Sequence, residues 1–512
     1  MIPKQNLGGM KMKKFVSVLL VSALLLTVCA SVALGRDEQH LVVVTAAFPV
    51  LVDPGRTNDL GSSLVNRQWA ETLVMFATPA FDIVPHLAES WHMPDPQTLI
   101  MNLRRGVKFH NGDEMRASDV AFSLMRAIQE PRVRFILEMI ESVDVIDDYT
   151  AQINLNIPFA PILGHLTHLG ASILPERVVT ELGDDFHNSP IGTGPFMVNS
   201  IVLGDHVELI RHENYWGTPP TVDRLTIRTI PEAANRLIEV ETGAAHIAMG
   251  IAAHNLPRLQ EDPNLDYNRM FALRNHHMGM NLNHPALADI RVRQAIRYAI
   301  DKPALVQTVY QGTGRVINSV MVGIPGTVEF EPIEYNLDRA RELMAEAGFA
   351  DGLTLSLWCN VNNQWDTDKA VIIQSMLAEI DIDVEIVASE FSVFMPGANA
   401  GRHDLFLHGH TNPPADPDYA LIRFHSSSVG GTGNRYFMSH SEVDRLIEQG
   451  RIELDPAARL EIYAEAQRLL WEHVPAIWIS QGEDLLAIAP GLGGFINFPI
   501  ATPRFWTVTL PE

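Results

Sequence analysis

Two histidines separated by one residue, His408 and His410, have the type and spacing that metal chemistry requires. On an extended segment both imidazole rings point to the same side, which suits a zinc, nickel or copper ion. A metal site needs a third and often a fourth ligand, and the sequence does not show where they would come from. We therefore predict that the pair lines a polar pocket and that no metal is bound, with metal binding and a structural role as the alternatives.

A second polar stretch, WCNVNNQW at residues 358–365, follows a predicted strand. Ligand sites in α/β lobes lie beyond the carboxyl ends of strands. Asn360 and Asn363 can both donate and accept hydrogen bonds, and Trp358 offers a flat apolar wall. A second ligand-binding segment is one interpretation, and a capped turn with core tryptophans is the other.

Sequence motifs of the common enzyme classes are missing. The chain has no G-x-S-x-G elbow, no Walker loop, no dinucleotide fingerprint and no C-x-x-C pair. The stretch HENYW, residues 212–216, begins like a zinc-protease helix, but Trp216 stands where the second histidine would be. Gly217 and Pro219 follow closely, so we interpret this stretch as a structural turn. We expect neither an enzyme nor a bound cofactor.

The first residues predict export from the cytoplasm. Lys11, Lys13 and Lys14 precede an apolar run at residues 15–28, which is typical of a signal peptide. We predict a signal peptide over residues 1–35, cleaved to give a protein without a membrane anchor. The alternative is a lipoprotein anchored through Cys29. Either product would be periplasmic or otherwise extracytoplasmic.

The composition excludes several partners. The 512 residues are 46 % hydrophobic, enough for two or three domains with their own cores. The chain carries 38 basic and 61 acidic residues, a formal charge of −23, and four of the lysines lie in the predicted signal peptide. Such a surface repels nucleic acid and anionic lipid. Cys359 is the only cysteine after residue 35, so the predicted mature chain cannot form an internal disulfide.

The pattern of elements changes near Asp289. Before it we predict a buried strand at residues 41–45, and a helix with Ser118 as its N-cap. After it helices alternate with strands, as in an α/β lobe. The predicted helices lie at residues 289–300, 301–312, 336–348, 368–380 and 455–473.

The longest distinctive segment, PHLAESWHMPDPQTLIMNLRRGVKFHNGDEMRASDVAFSLMR at residues 85–126, resembles the signature region of the family 5 extracellular solute-binding proteins of ABC importers. That family includes dipeptide-, oligopeptide- and nickel-binding proteins. Further blocks follow in the family's order and extend the resemblance over nearly all of the predicted mature chain. They are PIGTGPFMV from Pro190, HENYWGTPPTVDRLTIRTIPE from His212, MNLNHPALADIRVRQAIRYAIDKPAL from Met280, YNLDRARELMAEAGF from Tyr335, DPDY from Asp416 and SEVDRLIEQGRIELDPAARLEIYAEAQRLLWEHVPAIWI from Ser441.

The resemblance implies a type II periplasmic binding protein fold of the α/β class, with two lobes, a hinge and an inserted subdomain. Lobe I would comprise residues 37–80, 187–272 and 486–512, with the subdomain at residues 81–186. Lobe II would comprise residues 273–485, so that the chain crosses the hinge near Ala272 and Asp484. This division agrees with the change of pattern near Asp289.

The implied function is capture of a small peptide or similar solute between the lobes, followed by delivery to a membrane permease and its ATPase. We expect a monomer that binds a small molecule or peptide and no nucleic acid. Within the class, the alternatives are a nickel chelate, a sugar or another non-peptide solute. Outside it, they are a ligand-sensing or chaperone protein, or a histidine-based metalloenzyme.

In the peptide binders of this family an aspartate a few residues before DPD holds the α-amine of the peptide. Its place falls on Pro413 here, so the usual amine anchor is absent, although Asp416 of the DPD itself remains. Nickel-binding relatives use a histidine, a part that His408 or His410 could take. The predicted ligand-binding residues are His408, His410, Asn412, Asp416, Trp358, Asn360, Asn363, Met278 and Asn434.

Overall fold

The computed structural model describes residues 1, 38–361, 363–430, 433–500 and 502–511. The predicted signal peptide, apart from Met1, and Cys29 lie outside the described residues, so both remain predictions. The chain from His40 onward forms one unit, which contains every element described below.

The strands of this unit are β1 His40–Thr45, β2 Val74–Phe76, β3 Ile83–Pro85, β4 Ala88–Asp95, β5 Thr98–Leu103, β6 Ile140–Asp147, β7 Thr150–Leu155, β8 Phe196–Val202, β9 His206–Arg211, β10 Arg224–Thr229, β11 Ile247–Ala248, β12 Asp266–Met280, β13 Gly314–Val316, β14 Leu353–Asn360, β15 Ile382–Ser389, β16 Leu405–Thr411 and β17 Ala476–Ile488. The α-helices are α1 Leu60–Trp69, α2 Ala117–Gln129, α3 Arg134–Leu137, α4 Ile162–Leu166, α5 Glu176–Leu182, α6 Ala233–Glu241, α7 Leu256–Glu261, α8 Pro285–Ala288, α9 Ile290–Ala299, α10 Lys302–Tyr310, α11 Leu337–Glu346, α12 Gln364–Ala378, α13 Phe391–Asn399, α14 Pro417–Leu421, α15 Ser441–Ile452 and α16 Pro456–His473.

Two long strands, β12 and β17, hold the architecture together. They run antiparallel through the middle of an 11-stranded sheet with the order β15-β14-β16-β12-β17-β11-β1-β10-β9-β8, and β13 also pairs with β17. At one end residues 266–271 pair with residues 483–488, and at the other residues 275–279 pair with residues 476–481. The pairing of β12 with β17 is irregular between these two segments. Each long strand thus has one segment in one half of the sheet and one segment in the other half.

We call the half around β1 and β8–β11 the first lobe and the half around β14–β16 the second lobe. The first lobe also carries a four-stranded sheet, β4-β5-β7-β6, which packs on α2. Each part has its own apolar core, as two lobes joined by a few crossing strands require. This is the two-lobe α/β fold that the sequence predicts.

Helix boundaries follow capping chemistry. The predicted caps Asp289 and Asp455 are confirmed, because their carboxylates accept the backbone N–H groups of Arg291 and Ala458. The predicted cap Ser118 is wrong, because α2 starts at Ala117. There the carboxylate of Asp119 accepts the N–H of Arg116 at 2.8 Å and closes the first turn.

Helix α12 begins at Gln364, four residues before the predicted start, because the first turn closes through Asn363 and Asp366. In the part of the chain that the structure describes, no helix combines the length and the apolar character needed to cross a membrane.

Candidate functional site

The lobes face each other across a cavity of about 330 Å³. Its first-lobe wall comes from the start of α1 and the segment after α4, and its second-lobe wall comes from β12, β16 and the residues after β16. The first-lobe wall comprises Asn58, Asp59, Leu60, Ser63, Arg67, Thr167, His168, Leu169, Ile500 and Thr502. The second-lobe wall comprises Arg274, Phe391, His408, Gly409, His410, Thr411, Pro413, Tyr419 and Arg423.

Two further cavities extend this one. A cavity of about 710 Å³ shares Asn58, Tyr419 and Arg423 with it, and has the apolar side chains of Phe135 and Phe159 in its wall. A smaller extension of about 60 Å³ shares part of the same lining and reaches the crossing strands. All three cavities have walls from both lobes and share lining residues, and we refer to them together as the cleft.

Strand β16 places His408 and His410 side by side, with ring centroids 5.1 Å apart, as a strand repeat of two dictates. The His408 imidazole makes no hydrogen bond with the described residues, so it is available to the cavity. Burial lowers the pKa of both rings well below its ordinary value, and the charges of Arg435 on His408 and of Arg423 on His410 lower it further. Both rings are therefore neutral at pH 7.

A chain of hydrogen bonds fixes the tautomer of His410. The Arg423 guanidinium can only donate, so it donates to His410 Nδ1 at 3.0 Å and leaves the ring proton on Nε2. His410 Nε2–H then donates to the Tyr436 hydroxyl at 3.2 Å, and that hydroxyl donates to His277 Nε2 at 2.8 Å. His277 Nδ1–H ends the chain at Asn275 Oδ1, 3.2 Å away. The cleft wall at His410 is thus rigidly oriented.

The cavity is cationic. The Arg67 guanidinium makes no hydrogen bond or ion pair with any residue that the structure describes. Arg274 donates only to the Thr411 hydroxyl, at 3.0 Å, and Arg423 reaches His410 and backbone carbonyl oxygens, so neither meets a carboxylate among the described residues. Burial, with the charge of Arg504, lowers the pKa of Arg67 to about 9, which leaves it charged at pH 7.

The one acidic residue in the wall of the 330 Å³ cavity, within the described ranges, is Asp59. Its Oδ1 accepts the backbone N–H of Ser62 at 2.8 Å, and its Oδ2 accepts the Thr57 hydroxyl at 2.5 Å. This carboxylate caps α1, and its single negative charge does not balance the three arginines. The neighbouring His168 adds no charge at pH 7, because burial lowers its pKa to about 3.

Of the nine predicted ligand-binding residues, His408 and His410 line the cavity, and the other seven line none of the three cavities described here. Met278 is fully buried in the core of the second lobe. Trp358 packs against Gly397 of α13, and Asn363 donates to Asp366 at 2.7 Å. Asn360 ends β14, where its carbonyl accepts the N–H of Asn363.

The remaining predicted residues also hold the second lobe together. Asn434 is fully buried and donates to the carbonyl oxygen of Met438 at 2.8 Å. Asn412 donates to the carbonyl oxygen of Asp416 at 2.9 Å. The Asp416 carboxylate pairs with Arg459 at 2.5 Å and caps α14. Pro413 lines the cavity.

The sequence reasoning missed Arg67, Arg274 and Arg423. An arginine on a helix or strand normally points to solvent, so nothing in the local pattern separates these three from the others. Within the described residues no group of three or more histidine, cysteine or carboxylate side chains could hold a metal ion.

Comparisons with known proteins agree with this geometry. The family model of the bacterial extracellular solute-binding proteins, family 5, middle region, matches residues 82–432. The dipeptide-binding protein of Escherichia coli (strain K12) is 27 % identical over 499 residues, covering 90 % of this chain and 92 % of that protein.

Solved structures show the same fold. The periplasmic binding protein DppA from Helicobacter pylori in complex with the peptide STSA has a TM-score of 0.83 and 25 % identity, covering 93 % of this chain and 99 % of that one. MoaA from A. tumefacien R10 in complex with mannopinic acid has a TM-score of 0.80 and 26 % identity, covering 93 % and 100 %. The chain therefore belongs to family 5 of the bacterial extracellular solute-binding proteins, which bind solutes and are not enzymes.

Proposed function

We propose that the chain captures a small peptide or similar solute in the cleft between its lobes and delivers it to the permease and ATPase of an ABC importer. The observation that carries this proposal is the 330 Å³ cavity, whose walls come from both lobes. A solute that touches both walls stabilises the closed form over the open one, and thereby reports its presence to the permease.

Contacts across the cleft support closure as the working motion. The N–H of Ala160, in the first lobe, donates to the carbonyl oxygen of Arg451 in the second at 2.8 Å. The ring of Tyr419 lies 6.1 Å from Phe135 and 6.2 Å from His165. These contacts exist only while the lobes are together, so they add to the stability of the closed form.

The crossing strands support a hinge near Ala272 and Asp484. On this basis we propose residues 37–80, 187–272 and 486–512 as lobe I, residues 81–186 as its inserted subdomain and residues 273–485 as lobe II. We further propose that His408 and His410 contact the solute. The working protein would be an exported monomer in the periplasm or an equivalent extracytoplasmic space.

Native mass spectrometry of the purified chain tests solute capture. A co-purified small molecule is expected in the wild-type protein and should be absent from Ser63→Trp, because an indole at position 63 fills the cavity. Ser200→Trp, on an exposed position of β8, is the matched control and should keep the solute. Equal occupancy in the wild-type protein and Ser63→Trp would contradict the proposed site.

A further inference from the structure

The charge of the cleft opposes the charge of the whole protein. The chain carries a formal charge of −23, yet its central cavity is lined by Arg67, Arg274 and Arg423 and by one acid that caps a helix. The three side chains are half-buried, and guanidinium groups with reduced access to water and no carboxylate partner lower the stability of the ligand-free protein. Their arrangement around a solute cavity therefore points to a ligand that supplies the missing negative charge.

The donors that remain have the geometry for carboxylates. Each guanidinium has five N–H groups, and a carboxylate can bind two of them in parallel. Arg67 uses none of its five within the described residues, and Arg274 uses one. His408, also without a hydrogen-bond partner there, adds a further donor to the same wall.

The cations come from opposite lobes. Arg67 belongs to α1 of the first lobe, and Arg274 and Arg423 belong to the second. Like charges that approach each other as an empty cleft closes repel, whereas an anion between them attracts both lobes. A solute with one negative group satisfies one wall only, and a solute with two or more can bridge both walls.

The 330 Å³ cavity offers an ammonium group a single carboxylate among its described lining residues, that of Asp59. Both oxygens of that carboxylate already accept intramolecular hydrogen bonds, and Pro413, which also lines the cavity, carries no charge. Asp416 is paired with Arg459. Asp484 lines the small 60 Å³ extension, where burial raises the pKa of its carboxylate by more than the charge of Arg274 lowers it.

Building on the proposed function, we propose that the solute is an anion with at least two carboxylate groups, bridged between Arg67 on one lobe and Arg274 and Arg423 on the other. A free α-ammonium group is not needed for its recognition.

Three size-matched dipeptides test the proposal by calorimetry on the purified chain. N-acetyl-Glu-Glu has three carboxylates and no ammonium, N-acetyl-Gln-Gln has one carboxylate, and Glu-Glu restores the ammonium. We expect N-acetyl-Glu-Glu to bind at least about tenfold more tightly than N-acetyl-Gln-Gln, and more weakly as salt is added. Glu-Glu should bind no more tightly than its acetylated form.

Three outcomes would overturn the proposal. They are equal affinities for the Glu and Gln compounds, a gain of about tenfold or more from the free amine, and no binding of N-acetyl-Glu-Glu up to about 1 mM.

Single arginine variants assign the effect to the cleft. Arg67→Gln should remove most of the preference for the Glu compound while the melting temperature without ligand stays the same or rises, because an unpaired charge has been removed. Arg274→Gln tests the opposite wall in case one variant fails to fold. The control Arg402→Gln, at an exposed position, should change neither quantity. An unchanged preference in both cleft variants would contradict the assignment.

The co-purified solute separates this inference from the function on which it rests. A neutral or cationic solute that Ser63→Trp displaces would overturn the anion assignment and leave solute capture intact. A protein whose solute content is the same in the wild type and Ser63→Trp would overturn the proposed function itself.

Discussion

Replacing Asp366 by Asn perturbs a completely buried charge in the second lobe. The ammonium of Lys369, 0 % exposed, forms an ion pair with the Asp366 carboxylate at 3.0 Å, one turn away on α12. His276 Nδ1 lies 3.6 Å from the same oxygen. Burial alone raises the pKa of Asp366, but the charge of Lys369 and the contact with His276 bring it below its ordinary value.

The expected loss of stability can be bounded in two ways. Breaking a buried ion pair by removing one partner typically costs about 3–5 kcal/mol. Without Asp366, Lys369 can also avoid being a buried unpaired charge by releasing its proton. At pH 7 that costs about 4.6 kcal/mol, because a lysine pKa of roughly 10.4 lies about 3.4 units higher, at ~1.4 kcal/mol per unit. We therefore expect a loss of about 3–4.6 kcal/mol, a large part of a typical total of ~5–15 kcal/mol.

Urea unfolding at pH 7 and pH 9 measures this loss. If the folded variant holds a neutral Lys369, the unfolded chain binds more protons than the folded one below pH ~10.4, so the variant gains stability as the pH rises. The gap to the wild type should then narrow by up to about 2.7 kcal/mol between the two pH values. The double variant Asp366→Asn/Lys369→Met should recover most of the loss, because no charge remains buried.

The control is Asp368→Asn, a half-buried carboxylate on the same helix that accepts a hydrogen bond from Gln364. It should cost less than about 1 kcal/mol. An Asp366→Asn loss as small as this control would refute the reasoning. So would a larger loss that is equal at both pH values and persists in the double variant.

Three further predictions follow from the cleft and its surroundings. Gly164→Val should weaken solute binding and increase the radius of gyration of the ligand-bound protein in solution scattering. A Cβ at Gly164 would lie 3.1 Å from the Pro414 carbonyl oxygen across the cleft, so the larger side chain should keep the lobes apart. Unchanged affinity and radius of gyration would count against closure. The melting temperature should fall as the pH drops from 7 to 5. Buried histidines whose folded-state pKa is about 3 to 4 stay neutral in the folded protein over this range, whereas in the unfolded chain they bind protons with an ordinary pKa near 6.5, so acid favours unfolding. A melting temperature that does not change with pH would contradict this. These histidines are His168, His276, His277 and His403, and the half-buried His110 and His473 have similarly lowered pKa values. Nickel or zinc should bind with a dissociation constant no lower than micromolar in calorimetry, because His410 Nδ1 already accepts a hydrogen bond from Arg423 and is not open to a metal ion. Tighter binding that His408→Ala abolishes would show a metal site.

Local sequence determined the features that depend on near neighbours. Asp289 and Asp455 could be predicted as caps, because a carboxylate three residues or fewer before an N–H group needs no tertiary contact to bind it. The shared direction of His408 and His410 follows from the two-residue repeat of a strand. The family blocks along the chain supplied the two-lobe fold, which the sheet order and the family match both bear out.

Tertiary structure alone decided which side chains meet in the cleft. Met278 and Trp358 lie on strands near it, but the packing of helices on the sheet turns both into the core. Arg67 and Arg274 come from distant parts of the chain and face one cavity only because β12 and β17 cross between the lobes. An arginine has the same local pattern whether it faces solvent or a cavity, since its surroundings are set by residues remote in sequence.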